Sequence, residues 1–344
     1  MQTLTISKPD DFHLHLRDGA AMASIVNYSA AQFSRAIVMP NLKPAITTVD
    51  MALSYRERIL GSVDEKYNFE PLMTLYLTDN MLPDVINIAA QTESIKALKY
   101  YPAGATTNSD CGVTDIKKIY SVLEAMMKNE LPLLIHGEVS DIEVNVFDRE
   151  KVFIEKVLEP LVDDFCELKI VFEHITTKAA VDFVLNASSN VAATITPQHI
   201  LLNRNDLFNE SFRPHNYCFP VLKEEDDRLA VLGAATSGNS KFFLGTDSAP
   251  HSRSKKESGC GCAGIFSAYN ALELYVEIFD NQNKLDEVEA FTSFFGADFY
   301  GLNRNHEKIT LVKKETHIPE ALPFGDDKLV PLRAGDTCSW QVKF

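Results

Sequence analysis

Two histidines separated by one leucine, in FHLHLRD at residues 12–18, are the segment of this 344-residue chain best suited to chemistry. In a β-strand alternate side chains share a face, so His13, His15 and Arg17 would point one way and the leucines between them the other way. Two imidazoles about 6–7 Å apart along a strand can converge on one metal ion. A pair of surface histidines on an edge strand is the alternative, but the flanking leucines indicate a buried strand.

Lys99 lies within the apolar run IKALKYY at residues 95–101. A lysine inside a buried strand is costly unless it is paired or neutralised. Its amine could extend to a surface carboxylate. Alternatively, burial lowers its pKa and frees the amine to react. Reaction with CO₂ would give a carbamate whose two oxygens can bridge two metals, whereas reaction with a carbonyl substrate would give a Schiff base.

Three further polar residues follow apolar runs. They are His136 in LLIHGE, His174 in VFEHIT and Asp247 in FLGTDS. A lone histidine at such a place is more often a hydrogen-bonded core residue than a ligand, and Asp247 alone could cap a helix. Because two histidines follow consecutive runs, and because they accompany His13 and His15, the set favours metal ligands.

Eight short apolar runs alternate with amphipathic stretches along the chain, which predicts βαβ units and a parallel sheet. Eight units in one chain predict a (β/α)₈ TIM barrel spanning residues 1–344 as one domain, with the chemistry at the carboxyl ends of the strands. The tail, about 303–344, predicts a short extension packed outside the barrel, with strands at Ile309–Lys314 and Thr337–Phe344. The eight predicted strands are Asp11–Leu16, Ala36–Pro40, Pro71–Leu77, Ile95–Tyr101, Leu131–His136, Leu168–Ile175, Val191–Thr196 and Lys241–Thr246. The helical stretches include Val49–Leu60, Val113–Lys128, Asp148–Phe165 and Lys178–Leu185.

Charge and composition exclude several classes of partner. Lys and Arg total 33 and Asp and Glu total 48, so the net charge is −15 and favours neither nucleic acid nor an anionic membrane. A small anionic substrate then requires a local cation.

We find neither a signal-peptide pattern nor an apolar run of 18 residues, and the six cysteines have no disulfide-framework spacing, so we expect a cytoplasmic protein. Cys260 and Cys262 could bind metal, but two thiols in SGCGCAG are more typical of a tight turn.

The histidine pair, the lysine, the two later histidines and the aspartate together resemble the metal-ligand set of the amidohydrolase superfamily, each on the expected strand. Finer motifs narrow the resemblance to bacterial-type dihydroorotases over almost the whole chain. They are PDDFHLHLRDG, RAIVMPNLKP, KYYPAGATTNS, HGEV, FEHITTK, ITPQH, GTDSAPH and KESGCGCAG.

The resemblance implies a binuclear zinc centre. His13, His15 and Asp247 would hold one Zn²⁺, and His136 and His174 the other. Carbamylated Lys99 (N6-carboxylysine) and a hydroxide would bridge the two ions. The implied reaction is the reversible cyclisation of N-carbamoyl-L-aspartate to L-dihydroorotate and water, in pyrimidine biosynthesis, with Asp247 passing the proton to the ring nitrogen.

The resemblance also implies how the small-molecule substrate is bound. Arg17, Asn41 and His251 would clamp its carboxylate, and the main chain at Phe219 and Ala263 would contact its ring. The Gly- and Thr-containing loop Pro102–Gly112 would act as a lid that brings Thr106 and Thr107 to the substrate. A homodimer is implied as well.

Three other functions compete with this interpretation. A Schiff-base aldolase could use Lys99 without metal, but it leaves four histidines unexplained. A non-catalytic barrel would have lost ligands that are all present here. Another cyclic-amide hydrolase of the same superfamily shares the whole ligand set, so it is the strongest alternative.

Overall fold

The computed structural model describes residues 2–259 and 261–343. After a short first strand, β1 (Thr3–Ser7), eight parallel strands follow one another in chain order around a (β/α)₈ barrel, which confirms the predicted fold. Each barrel strand overlaps one predicted apolar run, but each ends one to three residues before that run does. The barrel strands are β2 (Asp10–Leu14), β3 (Arg35–Val38), β4 (Glu70–Tyr76), β5 (Ile95–Tyr100), β6 (Leu133–Ile135), β7 (Ile170–Phe172), β8 (Val191–Ile195) and β9 (Phe242–Leu244).

The helices cover the outside of the barrel and lie largely where amphipathic patterns predict them. They are α1 (Gly19–Gln32), α2 (Val49–Leu60), α3 (Pro83–Ala90), α4 (Tyr120–Lys128), α5 (Arg149–Phe153), α6 (Glu159–Asp164), α7 (Lys178–Asn186), α8 (Pro197–Leu201), α9 (Glu225–Ala235), α10 (Arg253–Lys256), α11 (Ala271–Asn281) and α12 (Phe295–Phe299). Single π-helical turns at Ile154–Leu158 and Ala290–Phe294 lead into α6 and α12. Short 3₁₀ turns occupy Ile116–Ile119, Arg204–Leu207, Pro214–Asn216 and Leu285–Glu287.

One layer of apolar side chains closes the bottom of the barrel. Phe12 and one residue from each of the other strands form this layer, with Ala297 of α12 against it. Phe12 reaches the lumen because β2 is irregular: Asp11 pairs with Ala36 and Leu14 with Val38, so two residues of β2 oppose one of β3. A bulge of this kind re-aims side chains. Phe12 and His13 therefore both face inward, one toward the floor and one toward the mouth.

The barrel closes between β2 and β9 through a buried carboxyl group. The Asp11 side chain accepts hydrogen bonds from the main-chain N–H and the hydroxyl of Thr246, at 2.9 and 2.6 Å. Above it, Asp247 N donates to His13 O at 2.9 Å and His15 N donates to Ser248 O at 3.1 Å. The first and last barrel strands thus hold each other where the candidate ligands begin.

An antiparallel sheet joins the two ends of the chain outside the barrel. β10 (Lys308–His317) lies between β1 and β13 (Thr337–Val342), and β11 (Leu322–Phe324) pairs with β12 (Asp327–Leu329). Both predicted tail strands are therefore present, but β13 ends at Val342, before the predicted end, and Phe344 lies outside the described residues. The participation of β1 was not predicted, because nothing local in residues 3–7 specifies a partner 300 residues away.

None of the described helices is both long and apolar enough to cross a membrane. Cys262 is a half-buried free thiol. Cys260, the other thiol of SGCGCAG, lies outside the described residues.

We predict that Gly296→Ala destabilises the protein, because a Cβ at position 296 would come 2.2 Å from the Phe12 ring. Overpacking of this kind costs about 1–3 kcal/mol. The control is Gly233→Ala on α9, where no atom lies within 4 Å of the added Cβ, and alanine should stabilise the helix by about 0.4–1 kcal/mol. Chemical or thermal unfolding of both variants measures the difference. Equal stability of the two would contradict the tight contact at Phe12.

Candidate metal centre

Six candidate ligands converge at the mouth of the barrel. His13 is on β2, Lys99 is on β5, and the others follow the strands by one to three residues. Alternation explains the inward direction of two of them, since Lys99 and His136 come two residues after the lumen residues Ala97 and Leu134. All six side chains are buried: His13, His15, Lys99, His136, His174 and Asp247.

Three of these residues bring their ligand atoms to one point. The His13 and His15 Nε2 atoms are 3.2 Å apart, and Asp247 Oδ1 lies 3.4 Å from the first and 3.1 Å from the second. Nitrogen ligands at 2.0–2.1 Å from a tetrahedral metal would be about 3.3–3.4 Å apart. The spacing of the three atoms therefore fits one metal ion.

The hydrogen bonds of the two imidazoles favour a cation at that point. His13 Nδ1 lies 2.7 Å from Glu173 Oε2, and His15 Nδ1 lies 2.9 Å from Asn41 Oδ1. Both acceptors require an N–H, so each Nε2 carries a lone pair. Burial, together with Lys99, holds the pKa of His13 well below its usual value, so a second proton is disfavoured. Two lone pairs and a carboxylate oxygen then face one another, an arrangement that a positive ion would stabilise.

A second pair of ligand atoms lies beside the first group. His136 Nδ1 is 3.2 Å from His174 Nε2, and His136 Nε2 is 3.0 Å from Glu138 Oε2. The carboxylate fixes the N–H of His136 on Nε2, so its Nδ1 lone pair faces the site. His174 Nδ1 is buried without a partner, and burial together with His136 keeps the pKa of His174 well below its usual value. This pair can also ligate a metal.

Lys99 lies among these groups as an amine with no acceptor. Its side chain is fully buried, Nζ has no hydrogen-bond partner, and the Tyr101 ring centroid is 5.2 Å away. Burial lowers the pKa of Lys99 to about 8, although Glu173 and Asp247 oppose the shift. Roughly a tenth of the amine is therefore uncharged at pH 7 and can react, far more than for a lysine with an ordinary pKa.

Asp247 has the opposite protonation tendency. Burial raises its pKa, but His13 and His15 outweigh that effect and the pKa falls to about 2.

The backbone of Asp247 has a φ of 43°, in the left-handed region, as do His174 at 42° and Arg17 at 63°. A non-glycine residue held there costs about 1–3 kcal/mol, and such residues cluster at functional sites.

Arg17 corrects one step of the sequence prediction. β2 ends at Leu14, and Arg17 reaches the cavity through its left-handed backbone rather than by strand alternation. Its Nε donates to Pro250 O at 2.8 Å, and one terminal nitrogen lies 3.0 Å from His251 Nε2. His251 thus lies beside Arg17, and burial together with Arg17 lowers its pKa to about 2.

The remaining predicted substrate contacts line the same cavity. Asn41 already has partners there, because it accepts from His15 and donates through Nδ2 to Thr107 O at 3.1 Å. Thr107 also donates from its hydroxyl to Ala263 O at 3.3 Å, so the loop after β5 lies over the mouth. Thr106 and Phe219 complete the set of lining residues that were predicted.

Sequence reasoning missed the residues that orient the ligands. Glu173 and Glu138 hold His13 and His136, and Thr194 donates to Glu173 Oε2 at 2.5 Å. The sequence does place both glutamates close to predicted ligands, in FEH and HGE, and this proximity is the signal by which their role could have been predicted. Tyr101, whose buried hydroxyl lacks a partner, also lines the cavity and was not predicted.

No family model matches the chain, but individual proteins match it over its full length. It is 61% identical over 342 residues to a dihydroorotase of Microcystis aeruginosa and 59% identical over 342 residues to one of Synechocystis. These alignments cover 99% of this chain and 99% and 100% of the two relatives.

Solved structures agree with these relatives. A dihydroorotase of Saccharomyces cerevisiae, in complex with 5-fluoroorotic acid, has a TM-score of 0.92 at 35% identity and covers 100% of this chain and 99% of its own. One of Campylobacter jejuni has a TM-score of 0.91 at 36% identity, with 99% and 98% coverage. An L-hydantoinase of Arthrobacter aurescens, at 14% identity and a TM-score of 0.81, shares only the fold, covering 98% of this chain and 82% of its own. The chain therefore belongs to the dihydroorotase family of the amidohydrolase superfamily.

Proposed function

We propose that this protein catalyses the reversible cyclisation of N-carbamoyl-L-aspartate to L-dihydroorotate and water, in pyrimidine biosynthesis. The observation that carries the proposal is the convergence of two imidazole lone pairs and the Asp247 carboxylate beside the unpartnered amine of Lys99. The yeast relative was crystallised with 5-fluoroorotic acid. A ring carboxylate of that kind matches the cation that Arg17 places at the cavity.

Two zinc ions are the proposed cofactors, because imidazole and carboxylate donors suit zinc. His13, His15 and Asp247 would hold one ion, His136 and His174 would hold the other, and carbamylated Lys99 would contribute its oxygens to both. The uncharged Lys99 amine adds to CO₂, forms the N–C bond and releases a proton, which leaves an anion with two ligating oxygens. When bound, the metals polarise the carbonyl under attack and supply hydroxide near neutral pH.

Asp247 is the proposed proton carrier. Its contacts with His13 and His15 run through Oδ1, so we assign the proton transfer to Oδ2. In hydrolysis Asp247 takes a proton and gives it to the departing ring nitrogen, and in cyclisation the transfers run in reverse. As a carboxylate, Asp247 can accept a proton in one step and release it in the next.

Arg17 supplies the local cation that an acidic protein needs to bind an anionic substrate. Pro250 O and His251 fix its guanidinium, and a planar fork can bind a carboxylate through two parallel hydrogen bonds. We propose that Asn41 and His251 complete this clamp, that the main chain at Phe219 and Ala263 contacts the ring, and that Thr106 and Thr107 close over it. Closure would exclude water from a reaction that releases water.

The second candidate, another cyclic-amide hydrolase, is not favoured, because at 14% identity the hydantoinase above shares only the fold. The purified chain should hydrolyse L-dihydroorotate and leave hydantoin, which lacks the carboxylate, almost untouched. Bound zinc per chain should be measured on the same sample. Hydantoin turnover without dihydroorotate turnover would favour the second candidate, and activity that survives complete zinc removal would favour a Schiff-base reaction at Lys99.

We also propose that the protein acts as a homodimer in the cytoplasm. Cys111, Cys166, Cys218, Cys262 and Cys338 are free thiols, which suits a reducing compartment. Sedimentation at micromolar concentration should give twice the chain mass of 38.4 kDa.

Replacement of Lys99 tests the carbamate. Lys99→Ala should lose zinc and nearly all activity, and a short carboxylic acid added to it should restore part of both by supplying the missing anion. Lys99→Arg should show no such recovery, because a permanent cation cannot ligate a metal. Zinc content and turnover are measured for each variant. Full activity of Lys99→Ala would rule out the bridging role.

Replacement of Asp247 separates proton transfer from metal binding. Asp247→Asn keeps a ligating oxygen but carries no proton, so kcat should fall by orders of magnitude while zinc is largely retained. His13→Ala, as the matched ligand variant, should lose zinc directly. If both variants lose the same amount of zinc, Asp247 acts mainly as a ligand and the proton carrier is another group.

Replacement of Arg17 tests substrate capture. Arg17→Lys keeps the charge but loses the planar fork, so KM should rise while zinc stays bound. Arg17→Met should weaken binding by roughly 2–5 kcal/mol, because the substrate carboxylate would be left unpaired. KM and kcat are measured in both directions with zinc checked. If Arg17→Met binds the substrate as tightly as the parent, another cation must bind the substrate carboxylate.

A further inference from the structure

One buried lysine close to the metal centre has no part in the reaction described above. Lys256 is the last residue of α10 and is only 4% exposed, whereas Lys255, just before it, is exposed. Within residues 2–259 and 261–343, its ammonium group donates to two main-chain carbonyl oxygens and forms no ion pair with a carboxylate. A buried charge is costly unless it is paired or hydrogen-bonded. The two carbonyl groups therefore account for the position of this ammonium.

The two carbonyl oxygens belong to different segments of the chain. Lys256 Nζ donates to Tyr217 O and to Gly264 O, each at 2.7 Å. Gly264 N donates to the same Tyr217 O at 3.0 Å. Three hydrogen bonds thus connect two segments that are distant in sequence, and a single side chain supplies two of them.

These two segments carry the proposed contacts with the substrate ring. Tyr217 comes two residues before Phe219, and Gly264 directly follows Ala263. Phe219, Ala263 and Gly264 all line the cavity. Only the main chain at Phe219 and Ala263 is proposed to contact the ring, so the course of the backbone decides where these contacts lie.

The segment that carries Ala263 is packed against the chain that follows β9. Ala249 N donates to Ile265 O at 2.8 Å, and a Cβ on Gly264 would come 2.6 Å from Ala249 O. Backbone lies so close to backbone there that only glycine fits at position 264. This segment is therefore fixed by its packing and can serve as the reference for the other one.

The segment that carries Phe219 has no helix or strand of its own. Side chains hold its carbonyl groups on both sides of Phe219: Lys256 donates to Tyr217 O, and His199 Nε2 lies 2.9 Å from Pro220 O. Of these two side chains, Lys256 is the one that also contacts the segment of Gly264. It therefore determines how far apart the two segments lie.

We propose that Lys256 is a positioning residue for substrate binding, because its ammonium group connects the main chain before Phe219 to the main chain after Ala263 and so sets the spacing of the two ring contacts. Lys256 is not among the residues that line the cavity, so it acts through the backbone. This role rests on the proposed function, to which the ring contacts belong.

Kinetics separate positioning from a general structural role. Lys256→Met removes the donors, so KM for L-dihydroorotate should rise about tenfold, whereas kcat should change by less than about threefold with zinc per chain unchanged. The exposed neighbour provides the matched control, and Lys255→Met should keep the parental KM. Lys256→Arg keeps N–H donors on a longer side chain, should give an intermediate KM, and supplies the same test if Lys256→Met folds poorly. A parental KM in Lys256→Met, or a loss of kcat together with zinc, would overturn the proposal.

Hydrogen exchange tests the connection without any substrate. In Lys256→Met, peptides that contain Tyr217–Phe219 and Ala263–Ile265 should exchange roughly tenfold faster than in the parent, while the barrel strands keep their parental exchange. Parental exchange in both segments, or faster exchange throughout the barrel, would overturn the proposal. If the parent does not hydrolyse L-dihydroorotate but the faster exchange is confined to these segments, the proposed function fails while the connection made by Lys256 is supported.

Discussion

Lys99 brings its amine into the centre of the barrel mouth, where the side chain has no solvent exposure and Nζ has no hydrogen-bond acceptor. A charged ammonium is costly at such a place, so the amine must lose its proton, react or lie near anions. Glu173 and Asp247 supply some negative potential, but the pKa still falls to about 8. The same burial keeps His13 and His174 neutral. The centre therefore consists of lone pairs directed at common points.

The direction of those lone pairs depends on neighbouring strands. Three imidazoles each have one nitrogen that is held by an oxygen acceptor. Glu173 holds His13 and Asn41 holds His15, both from other parts of the mouth, and Glu138 holds His136 from the same loop. The other nitrogen is then free to ligate. Because Asn41 also contacts Thr107, the loop over the mouth is connected to the orientation of His15. Ligand geometry and access to the cavity are thus coupled through one amide.

Local patterns predicted the barrel because it follows from periodicity, and they placed the six candidate ligands at or just beyond strand ends, which meet at one mouth in a parallel barrel. Lys99 and His136 face the lumen by simple alternation from the apolar layer below them. Arg17 could not be derived in this way, since its direction comes from a left-handed backbone that only the surrounding contacts impose. The bulge at Phe12 and the pairing of β1 with β10 depend on partners that are distant in sequence. The orienting roles of Glu173 and Glu138 require knowledge of which imidazole nitrogen faces the site.

The pairing of β1 with β10 has a consequence for the synthesis of the chain. The hydroxyl oxygens of Thr5 and Thr310 are 2.9 Å apart and 305 residues separate them in sequence. At ~5–20 residues per second, a ribosome needs roughly 15–60 s to travel from one to the other. During that interval β1 is outside the ribosome with its hydrogen-bonding edge unpaired, and exposed strand edges invite pairing with other chains. β1 is therefore covered late in synthesis. It is only five residues long, which limits the edge that a nascent chain presents to its neighbours on a crowded polysome.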